Sequence, residues 1–363
     1  MLRGSTGRKN GELGHAGRLL PPRVAPILPP MSEPAARETL DFVRALPKTE
    51  THLHLEGALP WDFLRRLDPL RFRDAPASWR EDFRFASFAH FEEELLGYVF
   101  AWFVTPERYH QAAQAIFQHH LEQNVKYVEC SFASGVVEFG GVDGEATAQA
   151  IRDAVPSELT VRIFMGIHRN GYNERTRDFL DACVGWSALD GLDLHGPETL
   201  TLERWSARLW RQAREAGKHT KAHAGEFGGP ESIRQVLDEL GVRRIEHGVR
   251  AVEDPRLVER LRDEGIALDV CPTSNVKLGV AASLESHPLR TLLDSGVTCT
   301  VSSDDPISFG NSLTDEYVAL ATRMGFSRSE LARVALNGFR VALCDPGVVA
   351  PHVAELEALA SEG

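Results

Sequence analysis

A pair of histidines, His52 and His54, stands two residues apart in a run of strand-forming residues. Side chains at i and i+2 of a β-strand point to the same face, so both imidazoles can reach one metal ion at about 2.0–2.1 Å. A single histidine at such a place would more often be structural, whereas a pair favours metal binding. The pair therefore predicts a metal site where this strand ends.

Three further segments carry similar side chains at the ends of predicted strands, namely His223–Glu226, Glu246–Gly248 and Ser303–Pro306. Buried charges are costly unless they are paired or bound to a metal, so packing alone explains four such strand ends poorly. Nitrogen and oxygen ligands without a thiolate leave zinc, iron, manganese or cobalt open, and zinc is the commonest hydrolytic choice. The segments predict a hydrolytic metal site with an acid and a base beside it.

Short β-rich runs alternate with helical stretches, and this alternation predicts the elements that position those side chains. The predicted strands are Thr49–Leu55, Val125–Phe132, Thr160–Ile167, Gly191–Leu194, Thr220–Ala224, Arg244–His247, Ala267–Cys271 and Thr298–Ser302. Helices followed by glycine are predicted at Glu203–Ala216, Glu231–Leu240 and Pro255–Glu264. Eight βα units favour a closed (β/α)8 TIM barrel over a doubly wound sheet, since no glycine-rich phosphate motif follows the first strand. In such a barrel the active site forms at the carboxyl ends of the strands.

The segment between the first two predicted strands, residues 58–124, is too long for one crossover helix and is rich in aromatic residues. It predicts a helical insertion that packs on the barrel and forms a lid or an apolar wall over the site. Upstream, Ala36–Leu46 is predicted to form a short helix that ends at Pro47. We expect residues 1–34 to be a disordered or mis-assigned tail, with Met31 as an alternative start, and residues 35–363 to form one barrel domain.

The composition indicates which kinds of partner and which cellular compartment to expect for this protein. The net charge is −12 and no basic patch stands out in the body of the chain, which argues against nucleic-acid binding. The cysteines number five, an odd count, and none lies in a CxxC pair, so a reducing compartment is expected. No apolar run is long enough to span a bilayer. We expect a cytoplasmic protein that binds a small molecule and water, and a homo-oligomer is compatible with the sequence.

The motifs at the strand ends resemble those of the adenosine/AMP deaminase family in the amidohydrolase superfamily. The matching segments, in the family's order and spacing, are Thr51–Ala58, His223–Glu226, Arg244–Val249, Cys271–Asn275 and Ser302–Pro306. The resemblance covers about residues 46–343. It implies a purine deaminase that holds one zinc ion per subunit on a TIM barrel.

The resemblance also implies metal-binding and catalytic roles. The zinc ligands would be His52, His54, His223 and Asp304, with water completing the coordination. Glu226 would hydrogen-bond the purine N1 and donate a proton there. His247 would act as base and electrostatic partner of the water, and Asp304 would orient it. Attack at C6 would give a tetrahedral centre that loses ammonia.

Three further residues would bind the substrate. By the same resemblance, Asp305 would hydrogen-bond N7, and the backbone N–H of Gly196 would face N3. Glu56 stands where family adenosine deaminases typically have Asp, a residue that contacts the ribose. Glutamate is instead typical of the adenine deaminase and aminodeoxyfutalosine deaminase branches.

The natural substrate is predicted from Glu56 together with the turn Asp193–Gly196. This turn looks more like that of nucleoside-acting members, since the adenine branch usually carries a Ser-Ser-Glu turn there. The two features favour an adenine nucleoside: adenosine, 2′-deoxyadenosine, or the 6-aminodeoxyfutalosine of menaquinone biosynthesis. The alternative is an adenine deaminase that acts on the free base.

Other interpretations depend on single charged residues. Arg169 and Lys277 are candidates for binding an anionic 5′ tail, and the competing interpretation is that these charges cap loops. Lys221 is the one residue to check for a different amidohydrolase reaction, because such enzymes commonly use a bridging carboxylated lysine. A barrel without catalytic activity is the remaining rival.

Overall fold

The computed structural model describes residues 33–361 and contains one sheet of parallel strands. The strands, β1 to β8, are Lys48–His54, Val125–Ala133, Thr160–His168, Gly191–His195, His219–Ala224, Arg244–His247, Ala267–Val270 and Thr298–Val301. Each pairs with the next along the chain, and a bridge between Leu53 and Asp304 links the end of β8 to β1. The predicted TIM barrel is confirmed. Almost all of the predicted tail, including Met31, lies outside the described residues.

Helices follow the strands and cover the barrel. The α-helices, α1 to α16, are Glu33–Ala45, Trp61–Leu67, Phe88–Val99, Pro106–Glu122, Ser134–Gly140, Gly144–Asp153, Arg177–Ala182, Arg204–Glu215, Pro230–Gln235, Pro255–Asp263, Pro272–Lys277, Leu289–Asp294, Pro306–Phe309, Leu313–Arg323, Arg328–Arg340 and Pro346–Ser361. Short 3-10 helices lie at Glu56–Ala58, Ala77–Trp79, Cys183–Gly185 and Val249–Glu253. A bilayer needs a longer and more apolar helix than any within residues 33–361.

The helix predicted over residues 231–240 differs from the observed one. The α-helix α9 ends at Gln235, and Val236–Leu240 continue as a π-helical turn. The segment ends at Gly241, whose φ of 64° is the left-handed conformation that glycine adopts without strain. The predicted stop signal was therefore right, while the widened last turn has no signature in the apolar pattern.

The interior of the barrel holds an ionic network below the mouth. The Nζ of Lys221 lies 2.7 Å from Glu246 and 3.4 Å from Glu129. The guanidinium of Arg244 lies 3.1 Å from Glu129 and 2.8 Å from Asp269. All five side chains are buried, so each charge needs the partners that the network provides. Lys221 is thus an ion-pair partner inside the barrel rather than a carboxylated lysine between metal ions.

The insertion after β1 covers one side of the mouth with aromatic side chains, as predicted. Phe91 stacks on Phe309 with ring centroids 5.4 Å apart, and Phe85 packs edge-on against both rings. The ring of Phe88 packs against that of Phe227, the residue that follows Glu226, with ring centroids 5.4 Å apart. The insertion therefore forms an apolar wall that reaches the end of β5.

Candidate metal centre and catalytic site

The four predicted metal ligands converge at the mouth of the barrel. The Nε2 atom of His54 lies 3.3 Å from that of His52 and 3.3 Å from that of His223. The Oδ1 atom of Asp304 lies 3.2 Å from His54 Nε2 and 3.6 Å from His52 Nε2. Tetrahedral ligands at about 2.0–2.1 Å from an ion stand roughly 3.3–3.4 Å apart, so this spacing fits a bound metal.

The outer atoms of two ligand rings are held by neighbouring strands. The Nδ1 of His223 lies 2.8 Å from Glu246 and 3.3 Å from Asp193. The Nδ1 of His52 lies 3.2 Å from the carbonyl oxygen of Asp269. Partners of this kind fix the orientation and tautomer of a metal-binding histidine. Residues of neighbouring strands thus hold two of the ligand rings in the orientation that metal binding requires.

Asp304 owes its place to an unusual backbone conformation. Its φ is 65°, its N–H donates to the His52 carbonyl at 3.2 Å, and its own carbonyl accepts from His54 N–H at 3.1 Å. Burial opposes ionisation of Asp304, but His52 and His54 together hold the pKa of this carboxyl well below its usual range. Asp304 is therefore a carboxylate, the form that binds a metal.

Two other carboxyl groups at the mouth have raised pKa values, in contrast to Asp304. Burial, together with the charges of Asp304 and Glu198, raises the pKa of Glu226 well above its usual value. Burial raises the pKa of Asp305 in the same way, with a contribution from Asp304 and against the opposing effect of His54. Glu226 Oε1 and Asp305 Oδ1 are buried without a hydrogen-bond partner among the described residues. Both groups therefore favour the protonated form, and each has an oxygen left for a ligand.

Gly57 makes room for Asp305. A Cβ at this position would stand 1.7 Å from Asp305 Oδ1, so any side chain would displace the carboxyl group. The neighbouring Glu56 is buried, and its Oε1 accepts from Tyr109 Oη at 2.8 Å and from the N–H of Ala133 at 3.0 Å. Burial raises the pKa of Glu56. Glu56 thus joins β1 to the end of β2 beside the predicted N7 contact.

His247 receives a hydrogen-bond chain of defined direction. The N–H of Leu289 donates to His287 Nδ1 at 3.1 Å, so the proton of this ring lies on Nε2. His287 Nε2 donates to Asn275 Oδ1 at 3.1 Å, and Asn275 Nδ2 donates to His247 Nδ1 at 3.1 Å. Neutral His247 therefore carries its proton on Nε2, which lies 3.6 Å from Glu226. Burial lowers the pKa of His247 to about 4, which favours this neutral form.

Gly196 lies on the opposite side of the mouth, after β4. Its φ is 87°, and a Cβ would stand 2.9 Å from the Nδ1 of His168. Within residues 33–361 its N–H has no backbone acceptor. The predicted contact from this N–H to a ligand is therefore geometrically open.

The two candidates for an anionic tail are both engaged within the protein. Arg169 is buried, and its Nη2 donates to the carbonyl of His223 at 2.9 Å. Lys277 is also buried, and its Nζ donates to the carbonyls of Ser78, at 2.9 Å, and Arg80. Both charged groups donate to backbone carbonyls in the interior of the protein and do not lie on the surface. Lys277 is thus engaged, whereas the Nε of Arg169 is buried without a hydrogen-bond partner among the described residues.

Sequence analysis assigned no role to two polar residues around the site, His195 and Glu198. His195 Nε2 donates to the Asp193 carboxylate at 2.6 Å, and its ring lies 4.6 Å from that of His54. The ring fits because a Cβ at Gly166 would stand 2.0 Å from it. Glu198 holds the turn that contains Glu226. Polar residues at the end of a predicted strand were the available signal.

Comparisons with known proteins agree with this geometry. A family model described as adenosine deaminase matches residues 47–351. An adenine deaminase of Acinetobacter baylyi is 32% identical over 84% of this chain and 95% of that protein. An adenine deaminase of Ectopseudomonas mendocina is 36% identical over 82% of this chain and 97% of that protein.

A solved structure gives the same result for the fold. The crystal structure of adenine deaminase from Arthrobacter aurescens superposes with a TM-score of 0.77 at 27% sequence identity. The match covers 86% of this chain and 99% of that one. The similarity therefore extends over the whole barrel and its insertion.

Proposed function

The chain belongs to the adenosine deaminase family, and on this basis we propose that it is a zinc enzyme which removes the 6-amino group of free adenine. The reaction would convert adenine and water to hypoxanthine and ammonia. The observation that carries the proposal is the pair of buried, protonated carboxyls, Glu226 and Asp305, each with an unpartnered oxygen beside the four ligands. Two such donors match N1 and N7, the two purine ring nitrogens that lie on either side of the 6-amino group.

The ligand set supports zinc. His52, His54, His223 and Asp304 offer nitrogen and oxygen donors without a thiolate, which suits a catalytic zinc. When bound, zinc would lower the pKa of a water molecule to about 7 and so supply a nucleophile at neutral pH. Glu246 and Asp193 would keep the His223 ring in its binding orientation.

The protein side chains would carry the protons. Glu226 donates its proton to N1, which makes C6 electron-poor, while Asp305 donates a hydrogen bond to N7. The water oxygen then bonds to C6, and Asp304 accepts the proton that the water releases. That proton passes to the amino group as the C6–N bond breaks and ammonia leaves. The second water proton leaves the C6 oxygen as the C6=O bond forms and returns to the carboxylate of Glu226.

His247 stabilises the oxygen in this scheme. The family resemblance assigns it both a base role and an electrostatic role, and the chain from Leu289 favours the second. A ring that carries its proton on Nε2 donates to an oxygen that gains negative charge. We therefore place the base function on Asp304 and the electrostatic function on His247.

The free base is favoured over a nucleoside by the relatives and by the site. The relatives described above are named adenine deaminase. The turn Asp193–Gly196, which suggested a nucleoside, is instead part of the candidate metal site, because Asp193 contacts His223 and His195. Lys277 is engaged with carbonyl oxygens, which removes its support for a carboxylated 5′ tail.

Product analysis with and without metal tests the proposal. Zinc-loaded protein incubated with adenine should release ammonia and hypoxanthine in equal amounts. Chelation should abolish this activity, and added zinc should restore it. Absence of ammonia from adenine with the zinc-loaded protein would refute the proposed function, as would full activity after complete removal of the metal.

A further inference from the structure

The N–H groups of the turn that carries Glu226 donate to a side chain and not to the backbone. The N–H groups of Gly225, Glu226 and Phe227 all donate to the carboxylate of Glu198, at 2.7, 2.8 and 2.9 Å. Three successive amides that converge on one anion are a strong local interaction, because hydrogen bonds to a charged acceptor are stronger than neutral ones. The position of the acid is therefore tied to a residue in another loop.

The carboxylate of Glu198 is fully used in this arrangement. Its Oε1 accepts from Glu226 and Phe227, and its Oε2 accepts from Gly225 and from Ser232 Oγ. The close approach requires a glycine, since a Cβ at Gly228 would stand 2.5 Å from Oε2. Glu198 thus has no role at the reacting atoms and links the loop after β4 to the turn after β5.

We propose that Glu198 is a positioning residue that sets the carboxyl group of Glu226 for proton transfer to the purine. The inference rests on the proposed function, because it assigns Glu226 the N1 proton. Glu198 holds the backbone N–H of Glu226 itself, so the point from which the acid side chain extends is fixed. A displacement of about 1 Å at a catalytic group can cost roughly 100-fold in rate.

Three variants separate the contacts of Glu198. Glu198→Ala leaves the three amides without their acceptor, and we expect kcat to fall about 100-fold. Glu198→Gln can keep its oxygen on Glu226 and Phe227, but its NH2 then faces the Gly225 N–H, so it should restore only part of that loss. Ser232→Ala is the matched control, because it removes one contact to Glu198 and leaves the Glu226 amide untouched. It should change kcat by less than about 3-fold.

Several readouts distinguish positioning from a general loss of structure. Zinc content and the melting temperature of Glu198→Gln should match those of the unchanged protein, and KM for adenine should change less than kcat. In a double-mutant cycle with Glu226→Asp, the two kcat effects should be non-additive, since both act through the same acid.

Two outcomes would overturn the inference. One is unchanged kcat in a folded, zinc-loaded Glu198→Ala protein. The other is strict additivity of Glu198→Ala and Glu226→Asp in the cycle. Failure of the unchanged protein to release ammonia would instead refute the proposed function, so the two failures are distinguishable.

Discussion

At the scale of single residues, the site depends on carboxyl groups that lie close together and differ in protonation. Asp304 is held ionised by the ligand histidines, whereas burial keeps Glu226 and Asp305 protonated. This contrast separates metal binding from proton donation, although Asp304 and Asp305 are adjacent in the chain. The same residue type thus performs two functions because its surroundings differ.

Glu226→Gln tests the proton donor. The amide has nearly the same shape and keeps a donor group, but it cannot give a proton to N1. We expect the variant to retain zinc and to lose at least about 100-fold in kcat on adenine. Metal analysis and steady-state kinetics check this result. Retained kcat would show that the N1 proton comes from another group.

Asn275→Asp tests the direction of the hydrogen bonds to His247. A carboxylate at this position accepts from both His247 and His287, so the His247 proton moves to Nδ1. If His247 stabilises oxygen through Nε2–H, kcat should fall at least about 10-fold, with zinc content unchanged. An equal or higher kcat would mean that unprotonated Nε2 serves as the base, contrary to the role proposed above.

At the scale of secondary-structure elements, the insertion is attached to the barrel through α11, the helix that follows β7. Lys277 donates to the carbonyls of Ser78 and Arg80, and the N–H of Phe85 donates to the carbonyl of Lys277 at 2.9 Å. This places the aromatic wall over the mouth. We therefore expect the wall to contribute apolar surface to substrate binding and not to chemistry.

Lys277→Met tests this attachment. The substitution removes the ammonium group and keeps a side chain of similar length, so residues 78–85 lose their anchor. We expect KM for adenine to rise about 5-fold or more, with a smaller change in kcat and normal zinc content. A selective loss of kcat would contradict the assignment of the wall to substrate binding.

The elements were predictable from the sequence to a large extent. Helices that end at a glycine precede several of the strands, and the observed strand ends lie close to the predicted ones, as at Arg244–His247. The metal site followed because its ligands sit at those ends. The contacts of Glu198 with residues 225–227 and of His287 with Asn275 were not predictable, because loop conformation brings them together without any periodic pattern.

At the scale of the whole molecule, the ionic network inside the barrel supports the metal site. Lys221 bonds Glu246, and Glu246 in turn contacts His223 Nδ1 at 2.8 Å. The interior charges therefore serve two purposes, since they neutralise each other and orient a ligand. Burial disfavours a charged Lys221, but Glu246 and Glu129 raise its pKa and keep it a cation.

Lys221→Met tests the network. The variant leaves Glu129 and Glu246 buried without their cation, and breaking such a pair typically costs about 3–5 kcal/mol of folding stability. Urea unfolding should show this loss, together with weaker zinc binding. Lys126→Met, at the opposite end of the barrel from the mouth, is the control and should change stability by less than about 1 kcal/mol. Equal stability of both variants would contradict a supporting role for the network.

The central claim concerns the substrate, and kcat/KM for ammonia release from four compounds tests it most directly. Zinc-loaded protein should be assayed with adenine, adenosine, 2′-deoxyadenosine and 6-aminodeoxyfutalosine under identical conditions. We predict that adenine is preferred over each nucleoside by at least about 100-fold, or roughly 2.7 kcal/mol of transition-state stabilisation. A higher kcat/KM for any of the three nucleosides would contradict the assignment of this chain as an adenine deaminase.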